Sequence, residues 1–526
     1  MSKQKSKLGI MEAYFKIPNP GLRSYFENVV KGQPIEYRTP FYRGKSLAEI
    51  LAMWEPTLTT IKSQWPTLLN FENDLRKKVG PLSIMKPLSE RMDDIDSYYS
   101  LIHSSAKPIS HAAQQAWIEE WVPKISGLRL RSQRDTVHNM KLSTNSGSPF
   151  FTKRRKVLDL TIPCQVYDPY QALGIGRKSD AYIKRYCAVL GWRGQEGGPT
   201  KDDVKQRVVW MFPFAVNVEE LRLYQPLIEA CQNSNLVPAW VSMDQVDAEV
   251  TRLFDTKGAD TPIICTDFSK FDQHFNPMLQ DCAKFCISQM LHEADSDWLD
   301  EIFPIKFSIP LAYDWGSLRY GRHGMASGSG GTNADETIVH RCLQHEAAIQ
   351  NGKQLNPHSQ CLGDDGILSY EGCTVDDVMR SYTAHGLDMN ADKQYVSNHD
   401  CIYLRRWHHM NYRVDGVCVG VYSTYRALGR LAEQERIYDP DVWSKEMVTL
   451  RYLSIIENCR YHPLREKFAD FCIKGDKYRL GLSIPGFLRN IRSIADEATD
   501  LMPDFLGYTK TMQSANSNID KWWIVQ

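Results

Sequence analysis

Two adjacent carboxylates, Asp364 and Asp365, stand between Gly363 and Gly366 in the run CLGDDGILSY, and folding alone does not ask for them there. Neighbouring ionised carboxylates repel, so a partly buried pair needs a cation or a proton to be stable. The apolar flanks Cys361, Leu362 and Ile367, Leu368 predict a hairpin with both acids at its tip, the glycines supplying the backbone angles of a tight turn. Such a tip can hold a hard divalent ion. An ordinary Asp-Gly turn would account for the triplet if it stood alone.

It does not stand alone. In TPIICTDFSKFDQHF, Thr261 to Cys265 read as a short buried strand, and Asp267 falls where that strand should end, with Asp272 after a turn. A carboxylate at the end of a buried strand projects into a cleft, so two separate strands are expected to converge on one acidic site. Between them lies GMASGSGGTNADETIVHRCLQHEAA, where Ser327, Gly328, Ser329, Gly330 and Gly331 run straight into helical spacing at Ile338, Val339, Cys342, Leu343, Ala347 and Ala348. Glycines ahead of a helix start permit close backbone approach to a ligand and present free N–H groups to phosphate or sugar. The run is therefore read as a ligand-contact loop, ahead of a flexible linker.

In this order and spacing the three segments resemble motifs A, B and C in the palm of viral RNA-dependent RNA polymerases. The wording DFSKFD, SGSGGT and LGDDG is most similar to those of small double-stranded RNA viruses, the picobirnavirus and partitivirus groups. Ser146 to Pro149 resemble motif G, Lys205 to Val209 motif F, Gly386 to Lys393 motif D, and Tyr403 to Arg406 motif E.

The resemblance implies an α+β right-hand fold, with fingers, an antiparallel palm sheet and a thumb, enclosed by fingertips. It implies two divalent metal ions, Mg2+ or Mn2+, on Asp267, Asp364 and Asp365, with Lys393 as proton donor to pyrophosphate. It places Asp272, Ser327, Gly328 and Thr332 at the incoming nucleotide, where Asp272 favours a 2'-OH, and Lys205 and Arg207 at the triphosphate. Ser146, Gly147, Lys153, Arg154 and Arg155 are expected at the template, Arg405 and Arg406 near the primer strand. One departure stands out: Glu336 occupies the place where many polymerases of positive-strand viruses have an asparagine four residues after the motif B threonine. The usual Asp-Asn sugar contact is then missing, and Asn333 is its candidate substitute.

At 526 residues and 42% hydrophobic the chain exceeds a single compact domain. The expected division is 1–140 N-terminal extension and fingertips, 141–255 fingers, 256–275 palm, 276–325 fingers again, 326–410 palm, and 411–526 thumb and tail. Helices are expected around Ser46 to Met53, Ala112 to Trp121, Trp443 to Asn458 and Leu464 to Ile473. A formal charge of +0, from 63 basic and 63 acidic residues, disfavours a basic packaging protein but leaves room for a positively lined channel.

The 13 cysteines show no Cys-x-x-Cys pair and no Cys/His zinc spacing, so free thiols are expected. No apolar run approaches the ~20 residues of a membrane span, and the expected location is a virion interior or host cytoplasm. The tail, Ile519 to Gln526 with Trp522 and Trp523, is expected to dock on the thumb or to fold back into the catalytic channel. Template and product RNA and ribonucleoside triphosphates are the implied partners, with a capsid protein as a further candidate. The rivals are a reverse transcriptase and a non-enzymatic RNA-packaging protein.

Overall fold

The computed structural model describes residues 11–16, 19–166, 175–177, 180–502 and 515–526. In chain order, α1 (Leu47–Leu58), α2 (Pro66–Arg76) and α3 (His111–Trp121) lead to the long ribbon β1 (Ala188–Gln195) and β2 (Lys205–Met211). Next come α4 (Phe214–Asn233), α5 (Met243–Thr256), β3 (Ile263–Thr266), α6 (Pro277–Met290), β4 (Leu311–Asp314) and β5 (Ser317–Arg319). Helix α7 (Thr332–Gln350) precedes β6 (Gln360–Leu362), β7 (Asp365–Leu368), α8 (Val375–Thr383) and β8 (Tyr395–Ser397). Then follow β9 (Asp400–Tyr403), β10 (Arg406–His409), β11 (Val421–Tyr422), α9 (Thr424–Ala432), α10 (Lys445–Glu457), α11 (Arg465–Gly475) and α12 (Ile491–Leu501).

Four short strands make the central sheet in the order β8-β3-β7-β6, all neighbours antiparallel. Ile263, Ile264, Ile367 and Leu368 are fully buried, because helices cover one face and the β9-β10 hairpin backs the other. Helix α7 runs through the middle: every residue from Ala334 to Gln344 is buried, as expected for a helix packed on all sides. A second sheet, β2-β1-β4-β5, carries the ribbon that overhangs the site.

Two large cores share the chain. One joins Met85 to Ile125 with α4, α6, α7 and α8. The other joins Phe41 to Val79 with α9 to α12 and Ile519, so residues within 1–140 serve both. Glu72 of α2 fastens the second core. Its buried carboxylate accepts from the N–H groups of Thr424 (2.7 Å) and Tyr425 (3.1 Å) and from the Ser423 hydroxyl (3.0 Å), satisfying the open donors at the start of α9.

The four sequence-expected helices form; three are opened by a serine cap, Ser46, Ser110 and Ser444 each accepting from the backbone N–H three residues on, and the fourth, α11, follows Leu464 without a side-chain cap. The tail packs against the second core, with Ile519 buried, the Ile524 N–H donating to Glu457 (3.1 Å) and Asp520 paired to Arg492 (2.6 Å). That is the docked arrangement, not the one entering the channel. The basic cluster Lys3, Lys5, Lys7 lies outside the described residues. Among the described residues no helix is long and apolar enough to cross a membrane.

Candidate active site

The Gly-Asp-Asp segment is the expected hairpin. Asp365 pairs with Leu362, leaving Gly363 and Asp364 as a two-residue loop. Gly363 has φ +58 and Asp364 does not enter the left-handed region, the pattern of a turn with glycine first. Helix α7 holds it from behind: the Gly363 N–H donates to Thr337 Oγ1 (2.9 Å), and His340 Nδ1 donates to the Gly363 carbonyl (2.8 Å). A Cβ at Gly366 would sit 2.6 Å from the His340 ring, so that glycine serves close packing of hairpin on helix. Thr337 and His340 were missed by sequence reasoning; on a helix that also carries Asp335, Glu336, Arg341, Gln344 and Glu346, nothing in the sequence set them apart.

Strand β3 pairs with β7 so that Thr266 faces Gly366. One step further brings Asp267 opposite Asp365, and neighbouring strands place such partners about 5 Å apart at Cα. Gln394 clamps the Asp267 peptide from both sides, donating to its carbonyl and accepting from its N–H, each at 2.8 Å. The two aspartates of the hairpin then part company. Asp364 opens into the cleft, while Asp365 turns inward and accepts the Leu404 N–H at 2.7 Å. Burial raises the pKa of both, and each is raised further by the other acids of the group; Asp365 reaches about 7. Arg207 and Arg405 partly offset this at Asp364. Uncompensated carboxylate oxygens on two adjoining strands suit a hard divalent cation, so the donor set fits the implied metal.

The basic side comes from two elements. Alternation on β2 buries Val204, Val208 and Trp210 and exposes Lys205 and Arg207, placing both cations on one face. Partial burial lowers the Lys205 pKa, and Lys78 and Lys393 lower it further while Asp267 opposes; Lys393 and Asp267 thus stand close to it. Arg405 sits at a second two-residue turn, between β9 and β10, where Leu404 (φ +53) and Arg405 (φ +58) both take left-handed angles. Side chains rarely accept that conformation. It delivers the Leu404 N–H to Asp365 and the Arg405 guanidinium toward the cleft, 3.3 Å from Glu196. Arg193, Arg207, Arg405, Arg426 and Arg430, with Glu196 and Glu435, line a cavity of about 210 Å³ beside the carboxylates.

Several expected contacts are turned elsewhere. Arg406 is buried and grips Asp247 at 2.8 and 3.1 Å, so it braces the hairpin and is not available to a primer. Ser146 and Gly147 are buried. The Ser146 hydroxyl accepts from the Thr152 N–H, and a Cβ on Gly147 would meet the Phe212 carbonyl at 2.4 Å. Both residues shape a turn and are shut off from a template. Arg154 also points inward, to Asn217 at 2.8 Å and over the Phe214 ring, while Lys153 and Arg155 are exposed.

The serine-glycine loop is likewise built for its own protein. A Cβ at Gly328 would fall 1.5 Å from the Trp210 carbonyl, and one at Gly331 would meet the Tyr224 ring at 2.3 Å. The Gly330 N–H donates to Glu220 (3.1 Å) and the Gly331 N–H to Ser329 (3.1 Å), so these donors are not free for phosphate. Ser327 and Thr332 donate their hydroxyls to the carbonyls of Val208 (3.1 Å) and Ser329 (3.2 Å), leaving only lone pairs for a ligand. The buried network Glu220, Tyr224, Lys306 and Asp335 supports the loop, with Lys306 paired to Asp335 at 3.1 Å.

The departure at Glu336 is explained by its neighbour. Asp272 and Glu336 share a hydrogen bond, and burial raises both, Glu336 well above the ordinary range. Two carboxyls can do so only if one is protonated, so the pair holds one proton between them and its protonated member donates as an amide would. Asn333 is engaged instead with the Trp240 indole (2.8 Å).

A right-handed palm sheet with paired acidic strands, overhung by a basic ribbon, defines a nucleotidyl-transferring polymerase of the right-hand class. The profile of the family described as viral RNA-dependent RNA polymerase matches residues 125–413, and the chain belongs to that family. It is 62% identical over 525 residues to a protein of Human picobirnavirus (strain Human/Thailand/Hy005102/-) described as "Potential RNA-dependent RNA polymerase", covering 98% of each chain. The crystal structure of the RNA-dependent RNA polymerase of a human picobirnavirus superposes with a TM-score of 0.93 at 61% identity, and its insertion-loop deletion mutant with 0.92 at 60%, each over 98% of both chains.

Proposed function

We propose that this RNA-directed RNA polymerase replicates and transcribes a viral double-stranded RNA genome by a two-metal mechanism. The observation that carries the reading is the register of β3 on β7, which sets Asp267 against the Asp364-Asp365 hairpin under Lys205 and Arg207. When bound, Mg2+ or Mn2+ on Asp267 and Asp364 would lower the pKa of the attacking 3'-hydroxyl and relieve charge on the leaving pyrophosphate. The protein's own share is positioning. Asp365 holds the Leu404 turn, and through it Arg405, against the cleft. Lys205 and Arg207 take up triphosphate charge, and Lys393 gives a proton to pyrophosphate. Asp272, fixed by the proton it shares with Glu336, accepts the ribose 2'-OH. Lys153 and Arg155 attract the template strand. The working sites are the virion interior and host cytoplasm, with a capsid protein as partner.

Purified protein given template RNA, four ribonucleotides and magnesium or manganese should make a labelled complementary strand; running the reaction with and without primer distinguishes the modes of initiation. RNA binding without synthesis would favour the packaging protein, and equal use of deoxynucleotides the reverse transcriptase.

A further inference from the structure

Cys282 and Cys286, one turn apart on α6, meet Cys342 of α7. The three sulfurs lie within 4.8 Å of one another, with Cys286 and Cys342 3.8 Å apart, and all three residues are buried. A single buried cysteine is ordinarily a small apolar filler. Three in mutual reach are a donor set: with zinc–sulfur bonds of about 2.3 Å, the edge of a tetrahedron is about 3.8 Å.

The neighbouring histidine is engaged elsewhere: His385 Nδ1 donates to the Lys107 carbonyl at 2.7 Å and its Nε2 faces Glu346 Oε1 at 3.5 Å, so the three sulfurs are the donor set.

We propose that Cys282, Cys286 and Cys342 form a structural site for a soft divalent cation of the zinc class. Binding displaces the thiol protons to solvent. The donor set rejects magnesium, which prefers oxygen, so the site is independent of the catalytic metals. Its place gives it a purpose: α6 follows Asp272 and α7 carries Glu336, and the cation would lock together the two helices that set that pair. Linear spacing hid it, because Cys342 comes from another helix.

The full chain, expressed in zinc-supplemented medium and dialysed against metal-free buffer, should retain about one zinc per molecule. Cys286→Ala and Cys342→Ser should each fall below about a tenth of that, while Cys472→Ala, at a buried thiol of the other core, keeps its zinc. Chelator-stripped wild type titrated with Co2+ should develop a sulfur-to-cobalt charge-transfer band, absent in Cys342→Ser and not displaced by excess Mg2+. The wild-type measurements need no variant to fold: zinc at background together with no cobalt–thiolate band overturns the site. Zinc retained equally by both cysteine variants overturns it as well.

Discussion

Two hairpins meet at the centre of this polymerase, each closed by a two-residue turn, and they close it by opposite means. The Gly363-Asp364 turn uses glycine for its left-handed residue and is anchored by side chains of α7. The Leu404-Arg405 turn puts two ordinary residues at positive φ, and its backbone strain is met by the Leu404 N–H bond to Asp365 and by the Arg406–Asp247 pair. One displays negative charge, the other positive. The acidic turn is relaxed and packed, whereas the basic turn is strained and tied to it. Chemistry and support are thus divided between neighbouring residues in both: Asp364 faces the cleft and Asp365 the interior, Arg405 the cleft and Arg406 the interior.

Breaking the acidic turn should have the largest effect. Asp364→Asn removes a metal-binding charge without changing shape, so strand synthesis should fall on the order of a thousandfold or more with thermal stability and RNA binding retained. A residual rate within tenfold of wild type would deny Asp364 its role.

The basic turn offers the sharper contrast within two positions. Arg406→Ala strands a buried Asp247 carboxylate and should cost about 3–5 kcal/mol of stability, read as a fall in denaturation midpoint. Arg405→Ala, with its side chain 44% exposed, should change stability by less than about 1 kcal/mol while lowering synthesis about tenfold or more. If the two variants behave alike, the division of labour drawn from the turn is wrong.

Asp365 links the hairpins, and its titration should show it. Its pKa rises on folding, from 3.8 to about 7, so the folded chain holds this proton more tightly than the unfolded one. In chelator, the associated stability is complete below about pH 4 and is lost as pH climbs through about 7, by on the order of 2 to 4 kcal/mol. Asp365→Asn, which keeps an acceptor for the Leu404 N–H, should flatten that decline. An unchanged pH profile would show that the inward carboxyl is not the titrating group.

How much of this was readable in the chain follows the same divide. The strand end at Asp267 and the glycine turn were readable, because local rules of period and turn chemistry decide them, whereas Lys205 and Arg207 were placed by resemblance alone. The outward or inward fate of Arg405 against Arg406 was not, since it rests on a strained turn that no glycine or asparagine announces. Arg154 looked like one of four equal cations in a basic run and is turned in by Asn217 and Phe214, both distant in sequence. The glycines of the 327–331 loop were read as room for a ligand and are room for Trp210 and Tyr224. A sequence shows that space is needed there, not what fills it. The carboxyl partner of Asp272 was visible only as a departure at Glu336, and became intelligible once burial showed that the two share a proton.

The mildest test asks whether the acidic turn owes its stillness to α7. Thr337→Val is nearly isosteric and removes the acceptor of the Gly363 N–H in a buried place. Leaving that donor unpaired costs about 1–3 kcal/mol, which the protein can meet either by unfolding more readily or by letting the turn shift. If the turn is fixed by the helix, part of the cost should appear as a lower kcat with little change in nucleotide KM, because Asp364 moves while Lys205, Arg207 and Asp272 stay where they are. Restoring the hydroxyl with Thr337→Ser should recover most of that kcat. Loss of stability alone, with kcat untouched, would mean that the glycine turn holds its geometry unaided, and the contrast with the strained basic turn would then be sharper than the packing suggests.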